Sequence, residues 1–104
     1  MSEKIFHITT PELWSRAQRD GIYSHPSLED EGFIHASFES QVEGTLKKHF
    51  KGQTNLLLLE LSLELIESSL KIEDLYDLGV NFPHIYSKIA LEAVLKVTNI
   101  NLSC

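Results

Sequence analysis

The chain has 104 residues, a net charge of −6, 42% hydrophobic and 23% charged residues, and one cysteine. That length suits a single domain over 1–104 with no need of a covalent staple, and a lone Cys104 excludes an internal disulfide and fits a reducing cytoplasm. The absence of an apolar run of about 18 residues excludes a helical membrane partner, the N-terminus lacks a signal-peptide pattern, and an acidic balance with only Arg16 and Arg19 argues against a nucleic-acid partner.

Lys4 to Thr9 alternates as a strand, with Ile5, His7 and Thr9 on one face and Phe6 and Ile8 on the other. Thr10-Pro11 then reads as a helix start, with Leu13, Trp14 and Ala17 on one side and Gly21 as its stop. Trp14 reads as core. Ile22 to Glu31 reads as irregular, with Tyr23 in a loop where it could stack on a planar ligand. The acidic run Glu29-Asp30-Glu31 reads as a solvated loop. Phe33 to Ser37 is a second strand. Ser37 or Ser40 is the expected cap of a helix from Glu39 to Phe50, along which Val42, Leu46 and Phe50 fall at helical spacing. The basic cluster Lys47-Lys48-His49-Phe50-Lys51 reads as its solvated C-terminal end.

Leu56 to Leu65 is the clearest strand. Leu57, Leu59, Leu61, Leu63 and Leu65 share one face, and the other passes from Leu56 and Leu58 to Glu60, Ser62 and Glu64. Its first half is expected to be buried on both sides. Leu70 to Leu75 is a shorter strand. Phe82 to Tyr86 follows, and Pro83 within it predicts a sheet edge or an irregular segment. Ala90 to Ala93 reads as a helical turn and Val94 to Leu102 as a last strand. Helices early and strands late predict an α+β fold with a mixed or antiparallel sheet.

Three segments carry candidate chemistry: Phe6-His7-Ile8-Thr9, Phe33-Ile34-His35-Ala36-Ser37 and Phe82-Pro83-His84-Ile85-Tyr86. Each histidine has a hydroxyl two positions on, and such residues share a strand face about 6.5–7 Å apart. That is too far for a direct hydrogen bond unless the side chains lean together. Imidazole serves as acid or base near pH 7, and a neighbouring hydroxyl can be oriented by it. No Gly-x-Ser-x-Gly elbow, phosphate-cradling glycine loop or His-Glu-x-x-His metal pair is present, and no metal is expected. The residues leave three readings open: a reaction site, a binding site, or a buried structural network.

These three segments, with Trp14 and Ala17, Gly21-Ile22-Tyr23, Ser27-Leu28, Glu31-Gly32 and Gln41, resemble domain-of-unknown-function family 952 over nearly the whole chain. The resemblance implies an ADP-ribosyltransferase-like fold and, by that analogy, NAD as cofactor. It would have His7 hold a ribose and Ser37 or Tyr23 approach the nicotinamide. Where the analogy asks for a late glutamate, this chain has Phe82-Pro83-His84.

The resulting expectation is a single α+β domain with two early helices and an ADP-ribosyltransferase-like fold. Its pocket would take a nucleotide-like or other small polar ligand, with transferase or hydrolase chemistry as the enzymatic version. His35, His84 and Ser37 are the candidate catalytic residues. His7, Thr9, Tyr23 and Tyr86 are the candidate ligand contacts. The rival is a binding or regulatory module without chemistry. Oligomeric state is not set by these residues.

Overall fold

The computed structural model describes residues 4–75 and 77–100. Cys104 and the end of the last predicted strand, at Leu102, lie outside them. The described chain is α+β, and every strand pairing in it is antiparallel.

The strand β1 (Ile5–Thr9) leads into α1 (Pro11–Asp20). The Thr10 hydroxyl accepts from the Leu13 amide at 3.2 Å, and Pro11 occupies the first turn, where no amide is needed. Gly21 closes the helix at φ 80°, in the left-handed region that suits glycine. The segment expected to be irregular instead holds β2 (Ile22–Tyr23) and a short α2 (Pro26–Asp30). The His25 ring caps α2 by accepting from the Ser27 amide at 3.1 Å, a role that propensity assigns to Ser, Thr, Asp or Asn.

The expected strand from Phe33 to Ser37 is split at Ala36. Its parts, β3 (Ile34–His35) and β4 (Ser37–Phe38), join different sheets. A 3₁₀ turn, Glu39–Gln41, precedes α3 (Val42–His49). Neither Ser37 nor Ser40 caps this end. The Gln41 side-chain oxygen reaches back to the Phe38 amide at 3.0 Å.

The strand β5 (Leu56–Leu61) is shorter than its alternation predicts. Ser62 leaves the ladder to cap α4 (Leu63–Ile66), accepting from the Leu65 amide at 3.3 Å. Leu63 and Leu65 are therefore helical, and Glu60 and Glu64 do not share a strand face. A 3₁₀ turn leads to β6 (Leu70–Glu73), then β7 (Phe82–Ile85), β8 (Ile89–Ala90), another 3₁₀ turn and β9 (Val94–Ile100).

Three sheets result, ordered β4-β1-β5-β9, β2-β8 and β3-β7-β6. In the four-stranded sheet the central strands β1 and β5 are buried on both faces, while the edge strand β9 is largely exposed. Ile5, Leu59 and Leu61 face the main core with Ala17, Tyr23, Ile34, Ile85 and Ile89. Ile8 and Leu56 face Leu46, with Val42 and Phe50 of the α3 region packed beside them. Trp14 packs against the main core, as its helical spacing predicts. Full burial of one such leucine contributes roughly 1.5–3 kcal/mol.

Pro83 corrects an expectation. It lies in the middle strand of its sheet, paired with Ile72 on one side. Its carbonyl accepts from the Ala36 amide at 3.2 Å. In an antiparallel strand a residue's nitrogen and carbonyl point to the same side. The missing N–H therefore faces Ala36, where β3 ends, and costs the ladder one bond at its frayed end.

Candidate functional site

A cleft of about 820 Å³ opens between α3, the β3–β4 segment and β7. His7, His25, His35, His49 and His84 all line it, which is every histidine in the chain. The rest of the wall includes Glu31, Ser37 and Phe82, with Gln41, Gly44, Thr45 and Lys48 from α3 and the turn before it.

His7 is placed by β1 on its main-core face. Nδ1 lies 2.6 Å from the His35 carbonyl oxygen, so Nδ1 carries a proton and donates it. Nε2 lies 2.6 Å from the Tyr23 hydroxyl, which stands 2.8 Å from the Thr9 hydroxyl. Burial, and then the nearby His25, push the His7 pKa down to about 3, so the ring is neutral at pH 7. A neutral ring protonated at Nδ1 must accept at Nε2. The single phenolic proton therefore goes to His7, and the Thr9 hydroxyl donates to the phenol oxygen. Every polar atom in this group is satisfied, and burial pushes the Tyr23 phenol further from ionisation.

This network changes the roles expected of three residues. Tyr23 sits in β2 with no exposed surface, so its ring cannot stack on a ligand. Thr9 is equally sealed. His7 has no ring nitrogen left to hold a ribose.

His35 and His84 face each other across β3 and β7, in register. Ile34 with Ile85 and Ala36 with Pro83 are the hydrogen-bonded positions, so His35 and His84 form the closer, non-bonded pair. Their ring centroids stand 5.8 Å apart. Each ring donates from one nitrogen to a carboxylate. His84 Nδ1 meets Glu73 Oε2 at 2.9 Å, and His35 Nε2 meets Glu31 Oε2 at 3.0 Å. Tyr86 donates to the same Glu73 oxygen. The Tyr86 bond, and then the His84 bond, hold the Glu73 carboxyl below its usual range. Phe33 stacks on His84 at 4.1 Å between centroids and meets His35 edge-on at 4.9 Å. With Nδ1 committed to Glu73, Nε2 is the remaining His84 nitrogen, on an almost fully buried ring at the cleft lining.

His25 is the mirror case. Its Nδ1 accepts from the Ser27 amide and lies 2.9 Å from the Ser27 hydroxyl. Burial and the neighbouring His35 lower its pKa, against Glu31, which raises it. The neutral ring therefore keeps its proton on Nε2. Its centroid stands 5.2 Å from that of His7.

Ser37 lines the cleft but is buried and bonded to Thr45 at 3.2 Å rather than to a histidine. Tyr86 is partly exposed, its hydroxyl on Glu73 and its ring under Lys71. Sequence reasoning missed His25 and His49, read as loop and helix end, and the two carboxylates. Only Glu31, four residues before His35, left a local signal. Among the described residues no group of three His, Cys, Asp or Glu side chains is disposed to hold a metal ion, and no helix is long and apolar enough to cross a membrane.

Residues 8–97 match the family described as "Protein of unknown function (DUF952)", and the chain belongs to it. The crystal structure of protein CC0527 from Caulobacter crescentus is similar, at 33% identity over 97% of this chain and 89% of that one, with a TM-score of 0.86. The solution structure of the same protein gives 30% identity over 97% and 87%, with a TM-score of 0.84. Among curated proteins none matches.

Proposed function

We propose that this member of the DUF952 family binds a small polar, nucleotide-sized ligand in the histidine cleft and acts on it by proton transfer, as a hydrolase or transferase. The observation that carries this reading is the paired arrangement of His84 on Glu73 and His35 on Glu31 at one cleft wall. A carboxylate that holds Nδ1–H fixes the tautomer and supports the imidazolium that forms when Nε2 takes a proton. His84 is the base in this reading: Nε2 removes a proton from water or a ligand hydroxyl and later returns it to the leaving oxygen. His35 is the second acid–base group, and Phe33 screens one face of the His84 ring from water. The cleft volume falls in the range of small-molecule sites.

The ADP-ribosyltransferase-like expectation fares less well as chemistry. Its first requirement is a histidine free to grip a ribose, and both His7 nitrogens are engaged. The carboxylates near the cleft, Glu31 and Glu73, are each bound to an imidazole. Fold analogy alone does not supply the missing groups.

The test is thermal stabilisation by a panel of nucleosides, nucleotides and small polar metabolites, on wild type and on the His35→Ala/His84→Ala double variant. At least one compound is expected to raise the wild-type Tm, with the folded double variant unresponsive. A panel without a hit, or an equal response from the double variant, overturns the reading. A hit that is never turned over leaves a binding module in place of an enzyme.

A further inference from the structure

The wall of the cleft opposite His35 and His84 is built on one stripe: Gln41, Gly44, Thr45 and Lys48 recur at helical spacing and all line the cleft. The opposite stripe, Val42 and Leu46, packs against the sheet. Two features of the lining stripe bear on what the cleft would hold; Gly44 has no explanation in the fold, and Lys48, which suits the helix dipole in the last turn of α3, is also placed on the cleft. The first is Gly44. It lies inside α3 with ordinary helical backbone, where glycine costs roughly 1 kcal/mol relative to alanine. A Cβ built there meets nothing within 4 Å, so neither a turn nor a close contact asks for glycine. The second is Lys48, the one lysine or arginine on the cleft wall, in a chain of net charge −6. The single wall carboxylate, Glu31, is bonded to His35. Other donors on the lining include the Nε2–H of His25, the Thr45 hydroxyl, the His49 ring and the Gln41 amide. The Gln41 amide is tied to the Asn81 carbonyl at 2.8 Å.

From these observations, and resting on the proposed ligand-binding role of the cleft, we infer that α3 selects the ligand: Lys48 holds an oxyanion group of phosphate type, and Gly44 leaves room for the body that carries it. An ammonium, a hydroxyl and an imidazole N–H lining one cleft are a donor set for a multi-oxygen anion. It opposes a cation. The aromatic and apolar part of the cleft lining, Phe50, Leu78 and Phe82, suits a flat organic body rather than a bare ion. Lys48 is exposed, so its attraction is salt-dependent and the selection is strongest at low ionic strength.

The experiment compares AMP, adenosine and inorganic phosphate by thermal shift and by calorimetry, on wild type, Lys48→Met and Gly44→Ala. Wild type is expected to bind AMP at least about tenfold more tightly than either adenosine or phosphate alone, with the preference narrowing as salt rises. Lys48→Met should remove that preference and leave the adenosine response unchanged. Gly44→Ala should raise the Tm of the free protein while weakening AMP several-fold, and so separates the cleft from the stability of the helix. Adenosine binding as well as AMP, or Lys48→Met keeping the full AMP preference, overturns this inference and leaves the cleft reading intact. Failure of all three probes on wild type also overturns it, and the cleft reading then stands or falls on the wider panel. A Gly44→Ala protein that is more stable and binds AMP as wild type does removes Gly44 from the inference.

Discussion

The His7 and His84 regions begin from the same local plan and end in opposite conditions. In each, a strand histidine is followed two residues on by a hydroxyl, and a third side chain bridges them. For His7 and Thr9 the bridge is the Tyr23 phenol. For His84 and Tyr86 it is the Glu73 carboxylate. The phenol is neutral, and it consumes the second imidazole nitrogen of a ring whose first nitrogen is already given to a backbone carbonyl. The carboxylate is charged and engages Nδ1 of the imidazole, leaving Nε2 uncommitted on an equally buried ring. A strand-borne imidazole thus becomes scaffold or candidate base according to its bridge and what lies beyond it. His7 and Tyr23 hold β1, β2 and β3 together beneath the cleft, and His84 and His35 stand on its wall.

The largest effect that tests this contrast is acid sensitivity. In the folded protein His7 titrates at about 3, against an ordinary value of 6.5. Below pH 6.5 the unfolded chain takes up a proton that the folded chain refuses. The stability due to a neutral His7 is therefore complete above pH 6.5 and is lost progressively as pH falls toward 3. The slope reaches about 1.4 kcal/mol per pH unit for this one group, and His25, whose pKa is also lowered, acts in the same direction. Urea midpoints between pH 7 and 4 should show the fall, and His7→Gln should flatten it. A profile that His7→Gln leaves unchanged would mean that the ring is not sealed.

Next in size is Tyr23→Phe, which strands Nε2 of His7 and the Thr9 hydroxyl in the core. The expected loss is about 1–3 kcal/mol in denaturant unfolding at pH 7, with ligand response otherwise preserved. Glu73→Gln should do the converse. Glutamine can still accept from His84, so the midpoint should move by less than about 1 kcal/mol, while the response to any cleft ligand and its turnover fall. Comparable stability losses in the two variants would erase the distinction between the regions. The smallest effect on chemistry is expected of Ser37→Ala, which removes one hydroxyl contact to Thr45 and should cost about 0.5–1.5 kcal/mol of stability with no loss of turnover. A loss of turnover at unchanged stability would restore Ser37 as a catalytic residue.

Much of the local architecture can be read directly from residue order. Thr10, Pro11 and Gly21 bound α1 as capping chemistry requires, because a cap depends on residues within one turn. The alternation of β1 places His7 and Thr9 on one face, because the pleat has a period of two. The same reasoning fails at Ser62, where a cap ends a strand whose leucine alternation runs on, and at Pro83, whose cost depends on where the neighbouring strand ends. Both outcomes are set by a partner segment distant in sequence.

The sequence by itself determined the α+β class, the first helix with its caps, and three histidine–hydroxyl spacings, since each rests on the geometry of a few neighbouring residues. Only the tertiary structure decided that all five histidines meet at one cleft, that Glu31 and Glu73 orient two of them, and that Tyr23 belongs to the core. Those facts depend on the pairing of β3 with β7 and of β2 with β8. Contacts between distant segments follow from the packing of the whole chain, and no local period encodes them.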